Sequence, residues 1–183
     1  MEYYLDIQLL PDPEFGEQEL LNALFAKFHR AMNQRAPSRV AISFPQAAQR
    51  LGNVLRLHGS ADALATLMEE NWLQGMKDYC RCGSIMPIPA VCQYRTVKRV
   101  QAKSAYNKRK RSVAKGWLTA EEAEKQIPNG QERRLTLPYL EVKSLSNGNR
   151  MRVYIEHGPL QATPAQGELN SYGLSGEATV PWF

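Results

Sequence analysis

On a helical wheel, Leu20, Leu21, Leu24, Phe25, Phe28 and Met32 gather on one side, while Lys27, Arg30, Asn33 and Gln34 stand opposite. That spacing predicts an amphipathic helix over about Glu17–Asn33 with one buried face. Before it, Tyr3–Leu9 reads as a β-strand closed by the Pro11-Asp12-Pro13 turn. After it, Val40–Phe44 and Asn53–His58 read as two further strands. Ser60 is placed to cap a second helix reaching Met68, with Asn71–Tyr79 continuing helical after a break. Cys80–Pro87 then supplies a fourth strand. The order β-α-β-β-α-β predicts a ferredoxin-like domain, in which both helices cover one face of an antiparallel sheet.

Pro87-Ile88-Pro89 stiffens the chain and marks a boundary, so two domains are expected, over residues 1–92 and 93–183. In the second half Ser104–Trp117 reads as a helix ended by Gly116. Thr119-Ala120-Glu121-Glu122 is a capping box for another helix, which Pro128 stops. Tyr139–Ser144 and Arg150–Glu156 are β-prone runs around Asn147-Gly148, a two-residue hairpin signal. The fold class is α+β: a ferredoxin-like N-terminal domain and a smaller C-terminal α/β domain with a basic helix.

Composition narrows the compartment and the chemistry. The 183 residues are 43% hydrophobic, enough for a core, and no stretch approaches the ~20 apolar residues of a membrane span. Acids near the N-terminus stand where a secretion signal would be basic, so a cytoplasmic protein is expected. Three cysteines are an odd number for a disulfide framework, and Cys80-x-Cys82 lacks the usual zinc-knuckle spacing. Reduced, packed thiols and no metal or cofactor are expected.

Charge changes the picture most. Nine of the chain's 23 lysines and arginines fall between Arg95 and Lys115, where there is no acid. The remainder carries 14 bases against 18 acids. The formal charge of +5 is thus one cationic segment on a slightly acidic protein, and such a segment attracts polyanions by releasing their counterions. On a helix, Ser104, Lys108, Arg111 and Lys115 form one stripe with no acidic partner at i,i+4. Just upstream, Arg99 and Gln101 point the same way on an extended segment. Arginine reads guanine and glutamine reads adenine through paired hydrogen bonds. In A-form RNA such reading requires the open end of a stem.

Phosphate-binding loops, a nucleophile elbow and paired carboxylates for two metals are all missing. A nuclease built from these residues would act on RNA, whose 2′-hydroxyl is an internal nucleophile. His29, at the border of the buried helical face, is the candidate base; the plain alternative is a boundary histidine that satisfies a backbone carbonyl. His58 and His157 read as turn residues. Ser144 and Ser146 share a strand face near the hairpin and could orient a hydroxyl.

Several blocks together resemble the CRISPR repeat-processing endoribonucleases of type I-F systems: Tyr4-Leu-Asp-Ile-Gln-Leu9, Pro11-Asp-Pro-Glu-Phe15, the helix with His29, Arg99-Val-Gln-Ala-Lys-Ser104, His157-Gly-Pro-Leu-Gln161, Tyr172-Gly-Leu-Ser175 and Val180-Pro-Trp-Phe183. The resemblance runs end to end. It implies a metal-independent enzyme that binds the hairpin of each CRISPR repeat and cuts at the 3′ base of the stem. The implied products are a 2′,3′-cyclic phosphate and a 5′-hydroxyl, with the enzyme staying on its product among other subunits of the surveillance complex. Carried onto this chain, His29 acts on the 2′-hydroxyl, Ser144 holds it, and Tyr172 lies near. Arg99 and Gln101 read the last G and A of the stem, and Lys103, Lys108, Arg111, Lys115 and Ser146 contact RNA. Met151 stands where relatives can carry a base-stacking aromatic. The alternative is a hairpin-binding subunit without catalysis.

Overall fold

Leu5, Ile7 and Leu9 alternate with Asp6 and Gln8 along the first strand and are almost completely buried, because successive side chains of a strand point to opposite faces. In the computed structural model, which describes residues 1–35, 39–101, 105–128, 135–143 and 148–183, the elements run in this order: β1 (Tyr3–Leu9), α1 (Glu17–Arg35), β2 (Ala41–Ser43), β3 (Val54–Gly59), α2 (Ala61–Met68), β4 (Cys80–Cys82), β5 (Met86–Pro87), β6 (Gln93–Val100), α3 (Ala105–Ala114), α4 (Ala120–Gln126), β7 (Tyr139–Lys143), β8 (Arg150–His157) and β9 (Ser175–Trp182). One sheet has the order β2-β3-β1-β4, with β5 also on β1. Its pairings are antiparallel, Leu5 opposite Leu57 and Ile42 opposite Leu57 on the other side. This is the ferredoxin-like order, and α1 and α2 pack against it through Leu21, Leu24, Phe25, Phe28, Met32, Leu64 and Leu67. Each such side chain gains about 1.5–3 kcal/mol on burial.

The chain forms two compact units, Met1–Arg99 with Leu137–Phe183, and Val100–Thr136. The first holds both sheets; the second sheet has the order β7-β8-β6-β9. The second unit is a helical hairpin of α3 and α4. These bounds differ from a division at 92/93, because β6, which begins at Gln93, and its partner β9 both belong to the first unit.

Local differences have local causes. Residues 72–79 form successive turns bonded i to i+3, as in Met76 N to Leu73 O, instead of a helix. Gly75, at φ +77°, breaks the run. The expected fourth strand is split into β4 and β5, parted at Gly83, whose N–H donates to Asp6 O. His58 is no turn residue: it is fully buried in β3 and bonded to Ser43 Oγ at 2.8 Å. His157 ends β8, packed edge-on against Trp182 and Phe44. Cys80 is buried but Cys82 is exposed, so only part of the packed-thiol expectation holds. The helix caps match the sequence: Ser60 accepts from Ala63 N, and Thr119 and Glu122 form the reciprocal box. Gly148 has φ +69°, as a hairpin turn allows, and the described pairing starts at Lys143–Arg150; Asn147 lies outside the described residues. Among the described residues no helix is long and apolar enough to cross a membrane.

Candidate active site

Three rings lie nearly parallel at one edge of the first sheet. Phe25 and His29 follow each other on α1, with centroids 6.3 Å apart. Tyr172 stacks on His29 at 4.7 Å and 17°, and on Phe25 at 6.1 Å and 12°. Phe25 is wholly buried and fixes the stack from below; His29 is half-buried, as a residue at the edge of an apolar helix face must be.

A tight loop holds Tyr172 in place. Asn170 Oδ1 accepts from the N–H groups of Tyr172 (2.8 Å) and Leu174 (3.2 Å). Gly173 O accepts from Ile42 N at 2.9 Å, which ties the loop to the outer strand β2. Gly173 has φ +71°, and a Cβ there would lie 2.8 Å from Val40 O, so glycine is required on two counts. Asn33 closes the arrangement. Its Nδ2 donates to His29 O at 2.7 Å and to Ser171 O at 3.2 Å, joining the helix to the loop.

Burial pushes the His29 imidazole below the ordinary histidine value, and the Arg30 guanidinium lowers it further. Near neutral pH the ring is therefore uncharged and can accept a proton. The Arg99 guanidinium lies 5.0 Å from the Tyr172 ring centre. Its Nε is buried and has no hydrogen-bond partner among the described residues.

The hairpin approaches α1 through two side chains one turn apart. Gln18 Nε2 donates to Tyr139 O at 3.1 Å, and Asn22 Oδ1 accepts from Glu141 N at 2.9 Å. Farther along, Ala26, Lys143 and Arg150 line a common cleft, so the described ends of β7 and β8 face the turn of α1 that precedes His29. Met151, half-buried on β8, pairs with Val142. Ser144, Ser146 and Lys103 lie outside the described residues.

The structure thus brings together His29, Tyr172 and Arg99. Gln101 is exposed just beyond β6. In the second unit, Lys108 is half-buried and Arg111 exposed on α3, whose one buried residue is Ala105, and Lys115 is exposed in the turn just after it. Lys115 also lies 4.9 Å from the Trp117 ring. Gly116, at φ +68°, ends that helix with Trp117 N bonded to Ser112 O. The cationic run is not uniform. Lys98 pairs with Glu156 at 3.0 Å, and Arg95 donates twice to Gly158 O while lying over Trp182; both are committed inside the first unit. Phe25, Asn33, Asn170 and Gly173 were not foreseen as site residues. The Asn-x-x-Gly spacing of residues 170–173 was the available signal for the loop. Among the described residues no group of three side chains is placed to hold a metal ion.

Residues 4–183 match a family model described as CRISPR-associated protein (Cas_Csy4). The chain is 46% identical over 184 residues to a CRISPR-associated endonuclease Cas6/Csy4 of Escherichia coli (strain UTI89 / UPEC), with both sequences covered in full. It is 43% identical over 187 residues, again in full, to a protein of the same name from Pseudomonas aeruginosa (strain UCBPP-PA14). A solved structure described as CRISPR endoribonuclease Cse3 bound to 19 nt RNA aligns with 99% of this chain and 100% of its own, at a TM-score of 0.40 and 15% identity.

Proposed function

The chain belongs to the CRISPR-associated Csy4 family, and from that premise we propose that it is a metal-independent endoribonuclease for the stem-loop of CRISPR repeat RNA. It cuts at the 3′ base of the stem. The observation that carries this reading is the half-buried imidazole of His29 stacked on Tyr172, and burial, which lowers its titration, favours the uncharged form that a base needs.

The chemistry follows from that placement. His29 takes the proton of the 2′-hydroxyl beside the scissile phosphate. The freed oxygen attacks phosphorus, the bond from phosphorus to the 5′-oxygen breaks, and that oxygen takes a proton from water while the His29 imidazolium returns its own to solvent. The ends are a 2′,3′-cyclic phosphate and a 5′-hydroxyl. The nucleophile is part of the substrate, so the protein needs to supply a base, alignment and charge. Ser144 orients the hydroxyl, Tyr172 fixes the imidazole plane, and Ser146 and Met151 contact the RNA beside the scissile bond.

Recognition is divided between the two units. Arg99 presents a buried Nε with no described protein acceptor, which suits a group whose partner is a guanine edge. Gln101 reads the neighbouring adenine. Lys103, Lys108, Arg111 and Lys115 hold phosphates, and the same contacts keep the enzyme on its product, in the cytoplasm, with the other subunits of a type I-F surveillance complex. The test is cleavage of the cognate repeat RNA in EDTA, with the product's 3′ end identified. A cyclic phosphate is expected. A requirement for magnesium would overturn the mechanism.

A further inference from the structure

A second cleft, of about 600 Å³, opens on the other side of α1, between that helix and the turns at 70–74. Lys27, Arg30 and Gln34 line it at i, i+3 and i+7, one face of the helix. Asn71, Trp72 and Gln74 line the opposite wall. Its charge is lopsided. Glu70 also lines the cleft but is paired with Arg35. Lys27 spends one of its three N–H donors on Gln74 O at 2.7 Å, and Arg30 spends Nε on Ala26 O in its own helix. Neither cation has a carboxylate partner among the described residues.

Trp72 adds a donor. It is 9% exposed and packed edge-on against Phe28, and its indole N–H has no partner among the described residues. A buried unpaired donor costs about 1–3 kcal/mol unless something arrives to accept from it. Two uncompensated cations, three side-chain amides and a spare indole N–H match a ligand with anionic oxygens and further acceptors, which is the chemistry of a nucleotide. Arg30 follows His29 in the chain, so a strand leaving His29 across the solvent side of α1 meets Arg30 first and then the cleft.

We propose that this cleft binds single-stranded RNA on the 3′ side of the scissile phosphate, with Arg30 and Lys27 on its phosphates and the Trp72 side providing base contacts. The proposal rests on the hairpin-cleaving reading above and names the part of the substrate that reading leaves unplaced. It gives the enzyme a hold on the precursor that vanishes on cutting, since the flank then departs as a separate strand.

The experiment uses the full chain and two repeat hairpins carrying a 2′-deoxy nucleotide before the scissile phosphate, which removes the nucleophile. One RNA ends at that phosphate and the other continues for four nucleotides. Affinities are read by fluorescence anisotropy over a range of salt. The wild type is expected to bind the longer RNA about tenfold more tightly, with a salt slope steeper by about 1.4, the value for two single-strand phosphates. Lys27→Ala with Arg30→Ala should erase both differences and leave the short hairpin unchanged within about twofold. Trp72→Phe, which keeps the contact with Phe28, should erase part of the affinity gain and none of the extra slope.

An advantage unchanged in the double variant would place the flank outside this cleft and overturn the proposal. Equal losses on both RNAs, or no advantage in the wild type, would overturn it as well while leaving the hairpin reading intact. A wild type that fails to hold even the short hairpin would sink the hairpin reading itself, and this proposal with it.

Discussion

His29 and Tyr172 lie face to face, centroids 4.7 Å apart and planes 17° from parallel, although one belongs to α1 and the other to the loop before β9. A stack of this kind fixes the imidazole plane and is worth about 0.5–1.5 kcal/mol. If it serves to orient the base, Tyr172→Phe should cleave repeat RNA at close to the wild-type rate. Tyr172→Ala should be slower by about 2- to 12-fold in single turnover, that energy expressed as rate. Equal losses in both variants would mean that the phenol, and not the ring face, does the chemistry.

The depressed titration of His29 sets the direction of the pH dependence. As the proposed base, His29 acts when neutral, so kcat/KM should be flat near neutral pH and fall as acid charges the ring. The midpoint of that limb should lie below the ordinary value of about 6.5. His29→Ala should lose about 100- to 10,000-fold in rate, flatten the limb and keep the affinity for the hairpin. A limb centred above pH 7, or one that survives the substitution, would assign the proton to another group.

Gly173 makes the geometry of the loop testable without touching a reacting atom. Its φ of +71° and the 2.8 Å approach of a would-be Cβ to Val40 O predict that Gly173→Ala costs about 1–3 kcal/mol of stability. Cleavage should fall with it, because the loop carries Tyr172. Gly176→Ala, where a Cβ meets nothing within 4 Å, is the matched control and should unfold at the wild-type midpoint. Two indistinguishable melting curves would remove the loop from the argument.

What the chain disclosed before its structure follows from how local each feature is. The border position of His29 was visible because helical periodicity is a local property, and so were the Ser60 and Thr119 caps. Its partner Tyr172 was named by the resemblance alone, and no local pattern placed it against His29. Tyr172 reaches His29 only because Gly173 pairs with Ile42 on β2, a contact that no spacing encodes. The strand β9 was missed because Gly176, Glu177 and Pro181 all read against a strand. It is an edge strand, where a missing N–H is tolerated. Lys98 and Arg95 were counted with the cationic surface because their acceptors, Glu156 and Gly158 O, come from the distant β8 region.

In the proposed reading Arg99 has two roles that one substitution would confuse, guanine contact and the packing of its guanidinium over Tyr172. Affinity for a cleavage-resistant hairpin separates them. Arg99→Ala should cost about 1–3 kcal/mol on the native stem. On a stem whose last G·C pair is reversed, wild type and variant should bind alike. Arg99→Lys should not restore the discrimination, because an ammonium lacks the two-pronged geometry. A variant that loses the same amount on both stems would make Arg99 a plain phosphate contact.

Acid stability reports on a different histidine. His58 is fully buried in β3, and burial, with Arg56 and the N-terminal amine adding to it, pushes its value down to about 3. In the unfolded chain it titrates near 6.5. Between those values the unfolded state binds a proton that the folded state refuses, so stability is full above about pH 6.5 and declines as pH falls toward 3. His157, lowered to about 4 chiefly by burial, acts in the same direction. Urea midpoints at pH 7.5 and 5 should therefore differ by more than carboxylates explain, since most of these titrate lower. His58→Gln keeps an amide within reach of Ser43 Oγ and cannot take up the proton, so its two midpoints should lie closer together than those of the wild type. Equal gaps would show that His58 is accommodated in its charged form.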